Sequence, residues 1–283
     1  MKPKPIPRDL TFEGLFFPNR EHVYLEHAES HPFESTTEFR VVNAWWLAEL
    51  SLLSYVQDEA FARTALSRMG DAELIERDGM AALILHRDEH DLVAFRGTDD
   101  LQDLLRDLDV RLVEEGPGKV HRGFRDALDL VWNEIRERLE QRPVWLSGHS
   151  LGAALAVIAA SRLDSAQAVY TFGAPRIADR AFGDSMTVPT YRVVNNNDIV
   201  TRMPPPIAYQ HFGQLEYFDR DGVLRSEPGL WERVREQAAG HGERIVENVK
   251  RTLAGELKVI PYDSLIDHSP LHYAVHLWNE LRR

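Results

Sequence analysis

The chain has 283 residues, of which 43% are hydrophobic and 28% charged, enough apolar matter for a substantial core and too much for a disordered segment. Its formal net charge of -12 argues against nucleic acid and anionic membrane surfaces as partners, since both repel it at long range. The absence of cysteine excludes a disulfide scaffold, a Cys-ligated zinc and a cysteine nucleophile.

Residues 1–35 open on "MKPKPIPRDL", are rich in Pro, His and Glu, lack periodicity and read as an arm laid over the surface. That opening contains no apolar stretch of signal-peptide length, and no run elsewhere reaches membrane-spanning length. A cytoplasmic protein without an integral membrane segment is the expectation, with secretion of a trimmed or leaderless form left open.

In "RVVNAWWLAELSLLSYV" the positions Val41, Trp45, Ala48, Leu52 and Tyr55 recur at helical spacing, and Trp45 and Trp46 read as core. A second helix in "DEAFARTALSRMG" has Asp58 as N-cap and Gly70 as stop. The period then shortens: "MAALILHR" and "DLVAFRG" flank "DEH" and read as two neighbouring strands.

Strand and helix signals alternate afterwards, through helix "GFRDALDLVWNEIRERLEQR", strand "VWLSG", helix "LGAALAVIAASRL" and strands "AVYTFG" and "TYRVVNN". This predicts an α/β fold, a central mostly parallel sheet flanked by helices, in a single domain spanning 1–283. Residues 228–258 are charged, helix-prone and free of strand signal, and read as a helical insertion packed outside.

Gly148-His149-Ser150-Leu151-Gly152 fits GxSxG between a predicted strand and a predicted helix. In that context the serine occupies a strained turn that holds its hydroxyl above the sheet's carboxyl edge, with the helix N-terminus offering N–H groups to an oxyanion. A serine hydroxyl becomes a useful nucleophile only when an imidazole takes its proton and a carboxylate fixes that imidazole.

The acid is expected in a loop just past a strand, and "TYRVVNNNDIV" puts Asp198 there. Asp179 and Asp184 follow "FGAPR" too soon to lie past another strand, and Asp219 reads as a surface turn. Among the downstream histidines His211, His241, His268, His272 and His276, His268 stands at a helix entrance marked by Ser269 and Pro270, which makes it the expected base with His272 in reserve. The 268, 272, 276 spacing also aligns three imidazoles on one helical face, but no carboxylate pattern accompanies them and no metal is expected.

In order, "FRGTD", "VHRGF", "SGHSLGAALA", "FGAPR", "NNNDIVTRMPP", "HFGQLEYF" and "DHSPLHY" resemble the successive blocks of the class 3 (fungal-type) lipases, over roughly residues 40–275. The resemblance implies an α/β-hydrolase core, a triad of Ser150, Asp198 and His268, hydrolysis of carboxylic esters, often acylglycerols, and no cofactor. It places the oxyanion hole at Thr98 and Leu151, of which elbow geometry alone selects Leu151, and leaves Arg96 and His121 as supports of loop and strand.

It also implies a movable lid over "DDLQDLLRDLDV", where Leu101, Leu104, Leu105 and Leu108 form an apolar stripe flanked by Asp99, Asp100, Asp103 and Asp107. An ordinary surface helix gives the same stripe. The lid departs from relatives in carrying Leu104 where a tryptophan is common, and its carboxylates would oppose an anionic interface. Met203 and Ile207, in "RMPPPIAY", either line the cleft or belong to a stiff exposed turn.

The expectation is a serine carboxylic-ester hydrolase, a triacylglycerol lipase or esterase acting through an acyl-enzyme on a lipid or small-molecule ester. Phospholipase A1 or short-chain carboxylesterase are the alternatives within the class, and a non-catalytic hydrolase-like binding module is the alternative outside it.

Overall fold

Strand residues that alternate in sequence go to opposite faces of one sheet, and here both faces are buried. The computed structural model describes residues 3–5, 22–56, 58–98, 111–139, 142–229 and 266–283. Helix α1 (Val41–Leu53) and α2 (Glu59–Leu66) come first, followed by β1 (Asp71–Arg77), β2 (Met80–His86) and β3 (Asp91–Phe95). A hairpin of β4 (Leu112–Glu115) and β5 (Gly118–His121) leads into α3 (Arg122–Arg138). Then come β6 (Val144–His149), α4 (Leu151–Ser161), β7 (Ala166–Phe172), the short α5 (Arg180–Ser185) and β8 (Thr190–Asn195). Strands β9 (Gln214–Phe218) and β10 (Leu224–Ser226) and helix α6 (Pro270–Leu281) complete the described elements.

Among the described residues the main sheet has eight strands in the order β1-β2-β3-β6-β7-β8-β9-β10. The run from β3 through β9 is parallel, with antiparallel partners at either end. Leu83, Leu85, Leu92, Ala94 and Trp145 face a core shared with α1 and α6, whereas Ala82, Ile84, Val93, Phe95 and Leu146 face one shared with α3 and α4. The expected α/β-hydrolase architecture is thus present.

Helix α1 is buried on all sides, so the adjacent Trp45 and Trp46 are both 1% exposed. Asp58 caps α2 as expected, its Oδ1 accepting from the Phe61 N–H at 3.0 Å. Strand β1 and the β4–β5 hairpin were not expected.

The N-terminal arm is more than a surface strap, because Tyr24, Leu25, Ala28 and Phe33 enter the core. The indole N–H groups of Trp46 and Trp145 donate to the carbonyls of His31 (2.7 Å) and Thr36 (2.9 Å). Buried Glu49 accepts from the Trp45 indole and pairs with His22 at 2.8 Å. The insertion expected at 228–258 lies, apart from its first two residues, outside the described residues.

Candidate active site

Ser150 stands between β6 and α4 with φ 58° and ψ -124°, a conformation costing a non-glycine residue about 1–3 kcal/mol. The two flanking glycines make room for it. A Cβ on Gly148 would lie 2.2 Å from backbone atoms of Gly152, and one on Gly152 would lie 2.1 Å from the Phe95 carbonyl oxygen. The Ser150 N–H donates to the Phe172 carbonyl at 3.0 Å, tying the turn to β7. Its Oγ is buried and takes no hydrogen-bond partner among the described residues.

Asp198 follows β8 across the turn Asn196–Asn197, and its N–H returns to the Asn195 carbonyl at 2.9 Å. Its Oδ1 accepts from the Val200 N–H at 2.9 Å. Its Oδ2 accepts from His268 Nδ1 at 2.8 Å and from the Tyr273 hydroxyl at 2.6 Å. Because the carboxylate only accepts, the His268 proton sits on Nδ1, leaving the Nε2 lone pair as the basic site. Burial first, and the Asp198 charge second, push the Tyr273 phenol far above its ordinary value, so it stays a donor.

His268 ends a short 3-10 turn, Ile266–His268, at the entrance of α6, as the sequence predicts, and is fully buried. Its ring lies 4.4 Å from that of His149, the residue before Ser150. The fully buried His149 is held well below its usual pKa, chiefly by burial and then by His268. Its Nε2 lies 2.7 Å from the His268 carbonyl and must donate to it, while Nδ1 accepts from the Tyr55 hydroxyl at 2.7 Å. A neutral imidazole therefore straps the base's backbone to the serine turn.

Gly173, in "FGAPR", has φ 63°, and a Cβ there would fall 2.6 Å from Asp198 Oδ2 and 2.8 Å from His268 Nδ1. Arg176 in the same block donates to the carbonyls of Arg202 and Pro204 and fixes the segment after the acid. His149, Gly173 and Tyr273 were not singled out from sequence, although each lies inside a quoted block.

Leu151 opens α4, in the turn where a helix leaves N–H groups without intrahelical acceptors. Half-buried Thr98 lies just past β3, whose Phe95 pairs with Gly148 of the serine strand, so both expected oxyanion residues lie at one sheet edge. Arg96 donates to the Gly79 carbonyl at 2.6 Å and His121 Nδ1 caps α3 at Phe124, both structural as expected. Met203 is buried, while Ile207 is 93% exposed and lines no cleft among the described residues. The expected lid leucines Leu101, Leu104, Leu105 and Leu108 lie outside the described residues.

The competing acids are otherwise engaged. Asp179 caps α5 through the Phe182 N–H at 2.9 Å, Asp184 pairs with Arg180, and Asp219, buried rather than exposed, accepts from the Asp221 and Val223 N–H groups. His211 lies against the Thr201 carbonyl and His276 stacks on Phe218, while His241 lies outside the described residues. Among the described residues no three His, Cys, Asp or Glu side chains converge to hold a metal ion. A basin of about 530 Å³ bordered by Ser161, Asp164, Met186 and Val188 lies at the far end of α4, roughly 15 Å from Ser150 by helix rise.

Residues 92–207 match the family model "Lipase (class 3)". A lipase of Rhizomucor miehei is 34% identical over 151 residues, 46% of this chain and 41% of the relative. A secreted mono- and diacylglycerol lipase of Fusarium solani is 34% identical over 114 residues, 35% of this chain and 34% of the relative. The match thus spans less than half the length of either. The crystal structure of a lipase from Rhizopus microsporus var. chinensis superposes with a TM-score of 0.51 at 26% identity, covering 72% of this chain and 82% of that one.

The cytoplasmic expectation is corrected by these relatives, since the Fusarium solani protein is described as secreted. The expectation rested on an opening that lacks a signal-like stretch, and a chain without cysteine carries no redox mark of its compartment.

Proposed function

We propose that the chain is a member of the class 3 lipase family, whose model matches residues 92–207, and that it hydrolyses carboxylic esters through an acyl-enzyme on Ser150. The observation that carries this reading is the 2.8 Å bond from His268 Nδ1 to Asp198, on a histidine packed against the residue that precedes a positive-φ serine.

In the proposed reaction His268 Nε2 takes the Ser150 proton as Oγ attacks the ester carbonyl, and returns it to the departing alcohol. Asp198 keeps Nδ1 protonated and balances the imidazolium. The Leu151 and Thr98 N–H groups receive the oxyanion. Water then repeats the cycle to release the acid, and no step calls on a cofactor.

Acylglycerols are the proposed substrate class, supported by the two relatives named as lipases. Residues 99–110, with their leucine stripe, are the proposed lid, and the whole chain is read as one hydrolase domain. Among the described residues no helix is long and apolar enough to cross a membrane.

The test is tributyrin hydrolysis measured through the solubility limit. Wild type is expected to turn over, with a rate that climbs as droplets form. Ser150→Ala and His268→Ala are expected to lose roughly four orders of magnitude or more. A stoichiometric fluorophosphonate adduct should form on wild type only. Near wild-type turnover by Ser150→Ala would overturn the assignment.

A further inference from the structure

Asp198 and His268 are separated by 70 residues, and each sits on a short irregular segment rather than on a strand or long helix. Something must fix one segment against the other. Asp267, the residue before the base, bonds to three consecutive asparagines before the acid. Its carboxylate Oδ2 accepts from the Asn197 N–H and from Asn196 Nδ2, both at 3.1 Å. Its carbonyl accepts from Asn195 Nδ2 at 3.0 Å. Asn196 itself has φ 40°, so the carboxylate clamps the turn at its strained residue. The clamp extends outward, since Arg202 donates to Asn197 Oδ1 at 3.1 Å.

We propose that Asp267 is a positioning residue, whose bonds to Asn195, Asn196 and Asn197 hold the acid's turn in register with the base's turn. This rests on the esterase reading given above. The ionised carboxylate is the better acceptor for two N–H donors, so the clamp is strongest when Asp267 is charged. The groups facing it are the Asp198 carboxylate, the Arg202 guanidinium, the Tyr273 phenol and the neighbouring His268 imidazole. Burial, with Asp198 adding to it against the Asn197 and Asn196 bonds and Arg202, brings its pKa up to about 6. Protonation thus slackens the clamp as pH falls through about 6.

The test is Asp267→Asn, which imitates the protonated side chain at every pH. At pH 8, kcat on p-nitrophenyl butyrate is expected to fall about tenfold with KM within twofold, the size of losing one charge-assisted hydrogen bond. Below pH 6 the ratio of wild type to variant should shrink toward one, because wild type then carries the proton too. A ratio independent of pH would overturn the proposal.

A second readout needs no turnover: the downfield proton NMR signal of the His268 Nδ1–H···Asp198 bond. It is expected in wild type at pH 8 and lost or broadened in Asp267→Asn, and an unchanged signal would overturn the clamp. Wild type that shows the signal but neither hydrolyses esters nor takes the fluorophosphonate would defeat the esterase reading instead. If Asp267→Asn does not fold, Asn196→Ala removes a single donor and should give a smaller loss with the same pH trend.

Discussion

At the scale of single residues, the site is crowded to within one methyl group. Gly173→Ala would drive a carbon into both the Asp198 carboxylate and the His268 ring at a backbone angle that alanine avoids. The expected outcome is a fall in kcat of about a hundredfold or more, together with a lower Tm, read by ester hydrolysis and thermal unfolding. Tyr273→Phe is gentler. It removes one donor from Asp198 and leaves the Asn195 N–H without its acceptor, which predicts about a tenfold loss in kcat and about 1–3 kcal/mol of stability in denaturant titrations. Ser150, Asp198 and His268 were legible because each stands at a junction that local residues mark: paired glycines, a strand end, a Ser-Pro helix entrance. Tyr273, Gly173, His149 and Asp267 were not, because their roles exist only where segments distant in sequence meet.

At the scale of elements, the two faces of the sheet explain which parts of the chain could be read in advance. Strands β2, β3, β6 and β7 are apolar over most of their length because both faces are covered, and they were found. Strand β1 has Ala72 and Ile75 as its buried residues, and β4 of the small hairpin has none, so neither presents a period. The arm escaped for a similar reason: among its described residues the four buried apolar ones follow no repeat, and indole N–H groups hold its backbone. Phe33, packed edge-on against Trp46 and Trp145, tests that attachment. Phe33→Ala is expected to cost about 3 kcal/mol, roughly 5–10 °C in Tm, while kcat per folded molecule stays near wild type.

At the scale of the whole molecule, stability should fall on the acid side of neutrality. His90 and His276 are each brought down from 6.5 to about 4, in both cases chiefly by burial, and His149 is lowered too. Between pH 6.5 and 4 the unfolded chain therefore binds protons that the folded chain refuses, and unfolding is favoured as pH drops. Asp267, brought up to about 6, and Glu216, also raised, act the other way, since burial lets the folded chain take protons there before the unfolded chain does. The histidines begin to act at higher pH and outnumber them, so Tm is expected to decline steadily from pH 7 to pH 5. His90→Phe, a ring that can keep the tilted contact with Phe33 and the edge-on contact with Trp145, should flatten that slope in a thermal scan series.

The placement of the base on the segment that enters α6 also bears on when activity can arise during synthesis. A ribosome that has delivered Ser150 and Asp198 has still to make 70 residues to reach the base, several seconds of translation at about 5–20 residues per second. Helix α6 then docks on α1, among the first helices made, and draws the beginning and end of the described chain together. A nascent chain that has not reached Tyr273 lacks the phenol that bonds to Asp198 beside the imidazole, so on the proposed reading a polypeptide still tethered short of that point lacks a complete site. On the proposed reading, hydrolytic competence would then coincide with closure of the fold, a timing set by the order in which the chain is made.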